Sequence, residues 1–200
     1  MPLQANESSR KTSLSRLQKS ANVDFHNLFK LPRVSFDMNS IDSYKNELGQ
    51  ISREDIKKIM PYGDSFLYVD NVEELTKKKI VATKEVKDDE YWAEGHFKGF
   101  PIMPGALIME GFGQAATMLV RYNLENHESK DVLAYKIRNA KFFRPTLPGH
   151  TLRFEVKLRF KFKMMWFVSG TVYRKEKEVA KVKMILAVVD KAKFRGRYQK

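Results

Sequence analysis

The stretch GHFKGFPIMPGALIMEGFGQ, Gly95–Gln114, decides how this chain is read. Apart from Lys98 and Gln114, its only polar side chains are one histidine, His96, and one carboxylate, Glu110. Pro104-Gly105 marks a helix start, because proline pre-sets the first-turn dihedral and lacks an N–H that would go unpaired there. Gly105–Leu124 is apolar on every side except at Glu110, Gln114 and its C-terminal end. Such a helix is buried all round rather than amphipathic. The same two polar residues interrupt the longest apolar run, Gly105–Val120, so it does not reach the ~18 residues of a membrane span. Spaced four apart, Glu110 and Gln114 share one helix face, where the amide can orient the carboxyl.

Working outward, Ser52 followed by Asp55 resembles a capping box for a short helix, Arg53–Met60, which Pro61 ends. Phe66–Leu75 and Lys79–Lys87 read as strands joined by a polar turn. After the loop Glu125–Asp131 only strands follow: Val132–Phe143, a turn at Arg144–Gly149, a long alternating strand, then Met164–Arg174 and Val179–Val189. In the alternating strand Leu152, Phe154, Val156, Leu158, Phe160 and Phe162 interleave with Arg153, Glu155, Lys157, Arg159, Lys161 and Lys163. Period two predicts one buried face and one wet face. The expected fold class is α+β, with a long central helix wrapped by an antiparallel sheet of about five to six strands. One helix cannot cover such a sheet alone, so a dimer is expected.

The domain is placed at 49–190, between an N-terminal extension, 1–48, and a basic C-terminal tail, 191–200. Met1–Val23 has little to bury and reads as disordered, whereas Phe25, Leu28, Phe29, Leu31, Val34 and Phe36 offer a docking segment. No signal-peptide core is visible, and Pro2 and Glu7 weaken a transit-peptide reading of the basic start, so a cytoplasmic location is expected. The chain of 200 residues, 42% hydrophobic, is long enough for a real core. It has no cysteine, which excludes disulfides and thiolate metal sites. His26, His127 and His150 fall in predicted loops, read as solvated, without metal-ligand spacing. The net charge of +13 sits almost entirely in residues 151–200, which calls for an anionic partner.

The central motif resembles the signature of the 3-hydroxyacyl-[acyl-carrier-protein] dehydratase family, through Gly95, His96, Phe97, Gly99, Pro101, Met103, Pro104, Gly105, Glu110 and Gln114. The resemblance extends to Pro61 with Phe66-Leu67-x-Val69-Asp70, to Ala140-Lys141-Phe142, and to Arg144-Pro145 with Pro148-Gly149. It implies the hot-dog fold, no cofactor beyond the carrier-borne substrate, and a homodimer, or a trimer of dimers, with shared active sites. The implied working pair is His96 of one chain with Glu110 of its mate. The chain departs from the family where Pro61-Tyr62-Gly63-Asp64-Ser65-Phe66 replaces P-H-R-Y-P-F, where Lys98 stands in H-F-P-G, and where Gly111 and Gly113 replace Ala.

The chemistry stands on the residues themselves. Dehydrating a 3-hydroxyacyl thioester needs a base for the C2 proton, an acid for the departing hydroxide, and a donor for charge on the thioester oxygen. His96 suits the base, since imidazole titrates near ~6.5. Glu110 suits the acid, because apolar neighbours favour a protonated carboxyl. The Gly105 N–H, at the positive end of the helix dipole, suits the carbonyl. Phe66, Phe97, Met103, Met109 and Phe112 are the candidates for an acyl tunnel. An acidic acyl carrier would be drawn to cations such as Lys157, Arg159, Lys161 and Lys163, or the tail lysines and arginines. The alternatives are a hot-dog thioesterase, in which a carboxylate activates water, and a non-catalytic acyl-binding scaffold. A nucleic-acid partner has no recognised motif to support it.

Overall fold

A computed structural model of the chain describes residues 40–199. The proposed docking segment Phe25–Phe36, the N-terminal tract and His26 lie outside the described residues. Seven strands form one antiparallel sheet: β1 (Ile51–Ser52), β2 (Asn71–Leu75), β3 (Lys79–Glu85), β4 (Lys130–Phe142), β5 (Thr151–Phe162), β6 (Met165–Arg174) and β7 (Lys177–Asp190). Their order across the sheet is β1-β2-β3-β5-β6-β7-β4. Among the described residues three α-helices accompany them: α1 (Arg53–Ile59), α2 (Gly105–Tyr122) and α3 (Lys191–Gly196). The additional strand over the sequence reading is the two-residue β1.

Helix α1 forms as its cap predicts, with the Ser52 hydroxyl accepting from the Asp55 N–H. The first long strand is shorter than Phe66–Leu75. Asp64–Phe66 makes a 3-10 turn, and the strand begins only at Asn71. The reason lies in the hydrogen bonds of this segment, since Tyr68 N–H donates to the Gln114 side chain rather than to a neighbouring strand.

Helix α2 lies across the inner face of the sheet at close range. A Cβ on Gly111 would stand 2.6 Å from the Phe154 ring, so only glycine lets the helix approach so near. Phe112, fully buried, sits over Gly170 of β6, where a side chain would strike the Glu155 carbonyl oxygen. Burying each of these phenylalanines stabilises the fold by roughly 1.5–3 kcal/mol. At the helix's far end the buried Arg121 donates to the Ile59 and Lys130 carbonyls, tying α1, α2 and β4 together. Residues 40–45 pack beside it. Ile41 is buried, and the Tyr122 hydroxyl donates to Asp42 at 2.8 Å and accepts from Lys45 at 3.1 Å.

The alternating strand is the main correction to the sequence reading. Leu152, Phe154 and Val156 are fully buried, but Phe160 and Phe162 are 55% and 62% exposed. The ladder slips between Leu158, which pairs with Val168, and Phe160, which pairs with Phe167. The extra residue, Arg159, is a β-bulge, and a one-residue slip exchanges the two faces. Beyond it Phe160 and Phe162 turn outward with Phe167, while Lys161 comes opposite the buried Trp166. The cations from Lys157 to Lys163 therefore do not share one wet face. Two loop histidines also differ from expectation: His127 is buried, and His150 accepts from the Leu147 N–H at 3.0 Å.

Candidate active site

His96 sits in the turn-rich stretch between β3 and α2. This stretch is anchored by the buried Trp92, whose indole N–H donates to Glu90 at 3.0 Å. Glu90 in turn meets the buried Lys84 at 3.0 Å. Burial alone would raise the Glu90 carboxyl, but hydrogen bonds from the Lys87 N–H, Trp92 and Lys84 outweigh it and hold the group below the usual range. Phe97 and Gly99 then take left-handed backbone, φ 58° and 79°, and at Phe97 that conformation is strained. The stretch closes where the Met103 N–H donates to the Thr146 carbonyl at 2.8 Å, fastening it to the turn after β4.

The imidazole is oriented by one contact. His96 Nδ1 lies 2.5 Å from the Ile102 carbonyl oxygen. A carbonyl only accepts, so Nδ1 carries the proton, and in the neutral ring the lone pair then lies on Nε2. The ring also packs edge-to-face on Phe97, with centroids 4.7 Å apart.

Glu110 is held with comparable economy. Gln114 Nε2 donates to Glu110 Oε1 at 2.9 Å and to the Phe66 carbonyl at 2.8 Å, while Gln114 Oε1 accepts from the Tyr68 N–H at 2.8 Å. All the hydrogen-bonding capacity the buried amide needs is thus engaged, and the backbone at Phe66–Tyr68 fixes the carboxyl through it. Glu110 lines a cavity of about 120 Å³ with Tyr62, Met109, Gly113, Ile137 and Met184. Tyr62 is the residue the sequence reading passed over. Burial raises its phenol pKa, so it stays protonated. The only signal was its place in the segment that departs from the family pattern.

Gly105 opens α2 as predicted, and neither its N–H nor that of Ala106 donates to any group among the described residues. A Cβ here would lie 3.1 Å from the Phe142 ring. The glycine borders a second cavity, about 400 Å³, with Met103, Phe142, Arg144 and Thr146. Of the tunnel candidates, Met109 and Met103 line these two cavities, Phe66 and Phe97 are exposed, and Phe112 is sealed in the core against Gly170. Phe112 is therefore a packing residue in this fold. No hydrogen bond or ion pair among the described residues joins His96 to Glu110 within one chain. No cluster of three or more metal-ligating side chains occurs among the described residues.

A FabA-like domain model matches residues 60–183. The dehydratase FabZ of Clostridium kluyveri is 38% identical over 142 residues, which span 69% of this chain and 96% of that protein. FabZ of Solibacter usitatus is 40% identical over 104 residues, 52% of this chain and 64% of that protein. Among solved structures, the dehydratase heterocomplex ApeI:P from Xenorhabdus doucetiae superposes with a TM-score of 0.61 at 11% identity, covering 72% of this chain and 97% of that one. A thioesterase from Haemophilus influenzae gives 0.55 at 16% identity, covering 70% and 92%. At such low identity these two likenesses speak for the hot-dog fold alone. The family model and the near-complete match to the Clostridium protein identify more than a fold: the chain belongs to the 3-hydroxyacyl-[acyl-carrier-protein] dehydratase family.

Proposed function

We propose that this chain removes water from 3-hydroxyacyl thioesters borne on acyl carrier protein, giving trans-2-enoyl thioesters, and that His96 of one protomer works with Glu110 of the other. His96 Nε2 takes the C2 proton, electrons move into the C2–C3 bond, and protonated Glu110 delivers its proton to the departing C3 hydroxyl, which leaves as water. The Gly105 N–H donates to the thioester oxygen as charge collects there. Solvent returns the proton from imidazole to carboxylate. The observation that carries this reading is the paired restraint: an imidazole committed through Nδ1 to Ile102, and a carboxyl committed to Gln114.

Sharing the site between chains is supported by β4, which ends the sheet order and, among the described residues, leaves one side of a 13-residue strand unpaired. Its middle exposes Tyr135 and Ile137, 66% and 46% accessible. A second copy added along this edge supplies the missing hydrogen bonds and covers those side chains. A trimer of such dimers and a cytoplasmic location complete the reading. No helix among the described residues is long and apolar enough to cross a membrane. In the wall of the Gly105 cavity, Arg144 is the cation that would meet an acidic carrier.

The test is ultraviolet absorbance with 3-hydroxybutyryl and crotonyl thioesters, together with a thiol assay. Interconversion of the two supports dehydration. Thiol release would indicate a thioesterase, and binding without turnover would indicate a scaffold. His96→Ala and Glu110→Ala each lose about a hundredfold or more in rate, and mixing them restores activity in heterodimers. Verified heterodimers without recovery reject the shared site.

A further inference from the structure

The end of the sheet farthest from Gly105 carries a surface outside the catalytic groups proposed above. Between Glu155 and Glu176 there is no acidic residue, and Lys157, Arg159, Lys161 and Lys163 crowd the β5–β6 hairpin. Because the Arg159 bulge exchanges the faces, the hairpin also exposes Phe160, Phe162 and Met164, each more than half accessible. Phe160 stacks on Phe167 at 4.1 Å, and Lys161 and Lys163 lie over the Trp166 and Phe162 rings at 5.3 and 5.6 Å. Helix α3 begins at the same end. The Val188 N–H donates to the Met164 carbonyl at 2.9 Å, and two residues later Asp190 caps α3. That helix and the turn after it add the exposed Lys193, Arg197 and Tyr198. Two elements thus carry aromatic and cationic side chains at the same end of the sheet.

We propose that this end of the protomer docks on an anionic phospholipid surface, with Phe160, Phe162 and Met164 entering the headgroup boundary and the surrounding lysines meeting lipid phosphates. Charge complementarity selects the ligand class, and the exposed apolar tip favours lipid over an acidic protein. A bilayer boundary takes both kinds of group at once, apolar side chains at the acyl edge and cations at the phosphates. The location agrees. Phe142, packed on Gly105, pairs with Ala180, while the hairpin's Met165 pairs with Ala187, seven residues along β7. At ~3.3 Å per residue the docking end is roughly 23 Å from the helix start in the same protomer.

The experiment is sedimentation of the full chain with phosphatidylcholine vesicles, with and without a third of phosphatidylglycerol. Binding only to the anionic vesicles, reversed by high salt, is expected. Lys161→Gln with Lys163→Gln weakens partitioning about fivefold per charge. Phe160→Ser with Phe162→Ser abolishes the fraction that persists at moderate salt. Lys175→Gln with Lys177→Gln, at the opposite end, is the charge-matched control and keeps near-full binding. Equal loss in that control, binding to neutral vesicles, or no loss in either hairpin variant overturns the proposal. A changed oligomeric mass in Phe160→Ser/Phe162→Ser also overturns it, because a second copy then covers the patch. Melting temperatures and turnover of a soluble short-chain thioester stay at wild-type values in every variant, independently of how vesicle binding comes out.

Discussion

Gln114 donates to Glu110 at 2.9 Å while its other bonds reach the Phe66 carbonyl and the Tyr68 N–H. One buried amide therefore couples the carboxyl to the backbone ahead of β2. Gln114→Leu removes that coupling and leaves two backbone groups unpaired. The fold loses about 1–3 kcal/mol, and in protein that remains folded kcat falls tenfold or more while KM holds. A parallel change in KM, or no change in kcat at full folding, shows that Gln114 serves packing rather than orientation. Denaturant midpoints and steady-state kinetics on one preparation separate the outcomes.

The two helix glycines that depart from the family pattern are not equivalent. Gly111 has the Phe154 ring 2.6 Å from where a Cβ would stand, and Gly113 has only Met184, at 3.7 Å. Gly111→Ala must push the helix off the sheet and costs roughly 1–3 kcal/mol. Gly113→Ala meets ordinary contact distance and gains helix propensity, up to ~1 kcal/mol. Opposite signs in urea denaturation are the expected result, and Phe154→Leu relieves Gly111→Ala in the double variant. Two changes of the same sign would contradict the helix–sheet spacing described above.

Helix α2 and its polar pair were legible because a carboxyl and an amide four apart in an apolar run have few structural reasons to be there. The capping of α1 was legible for a similar reason, since the Ser52–Asp55 bond is local. The Arg159 bulge was not. A bulge leaves the sequence alternation intact and changes only which partner residue each side chain faces, so Phe160 and Phe162 read as core. His127 read as solvated because a loop position in sequence says nothing about what packs over it, whereas the fold buries it. Tyr62 was hidden by its segment, whose position against Glu110 follows from long-range packing rather than from any local pattern.

Tyr62 bounds the Glu110 cavity of about 120 Å³. Tyr62→Ala enlarges that space, so kcat/KM for longer acyl chains rises relative to the four-carbon substrate, by about tenfold for each methylene newly accommodated. Tyr62→Phe keeps the ring and keeps the wild-type ratio. Rates across a series of 3-hydroxyacyl thioesters make the comparison. A chain-length profile unchanged in Tyr62→Ala means that the acyl group lies elsewhere.

Burial, and then the neighbouring Arg121 charge, hold the His127 pKa below its ordinary value. The unfolded chain therefore binds the proton first as pH falls, and the neutral histidine contributes stability that is complete above the unfolded pKa of ~6.5 and is lost below it. His150 acts in the same direction, through burial and then Arg174. Carboxylates contribute little to the slope above about pH 5.5, because their unfolded values lie near ~4. Between about pH 7.5 and 5.5 the unfolding free energy declines, with a limit of ~1.4 kcal/mol per pH unit for each suppressed proton. His127→Gln cannot take up that proton, so its stability curve is flatter over the same window, and adding His150→Gln flattens it again. Urea midpoints across the window read the slope directly. If His127→Gln follows the wild-type slope at every pH, the imidazole is protonated as readily in the fold as in the open chain, and the burial argument for it fails.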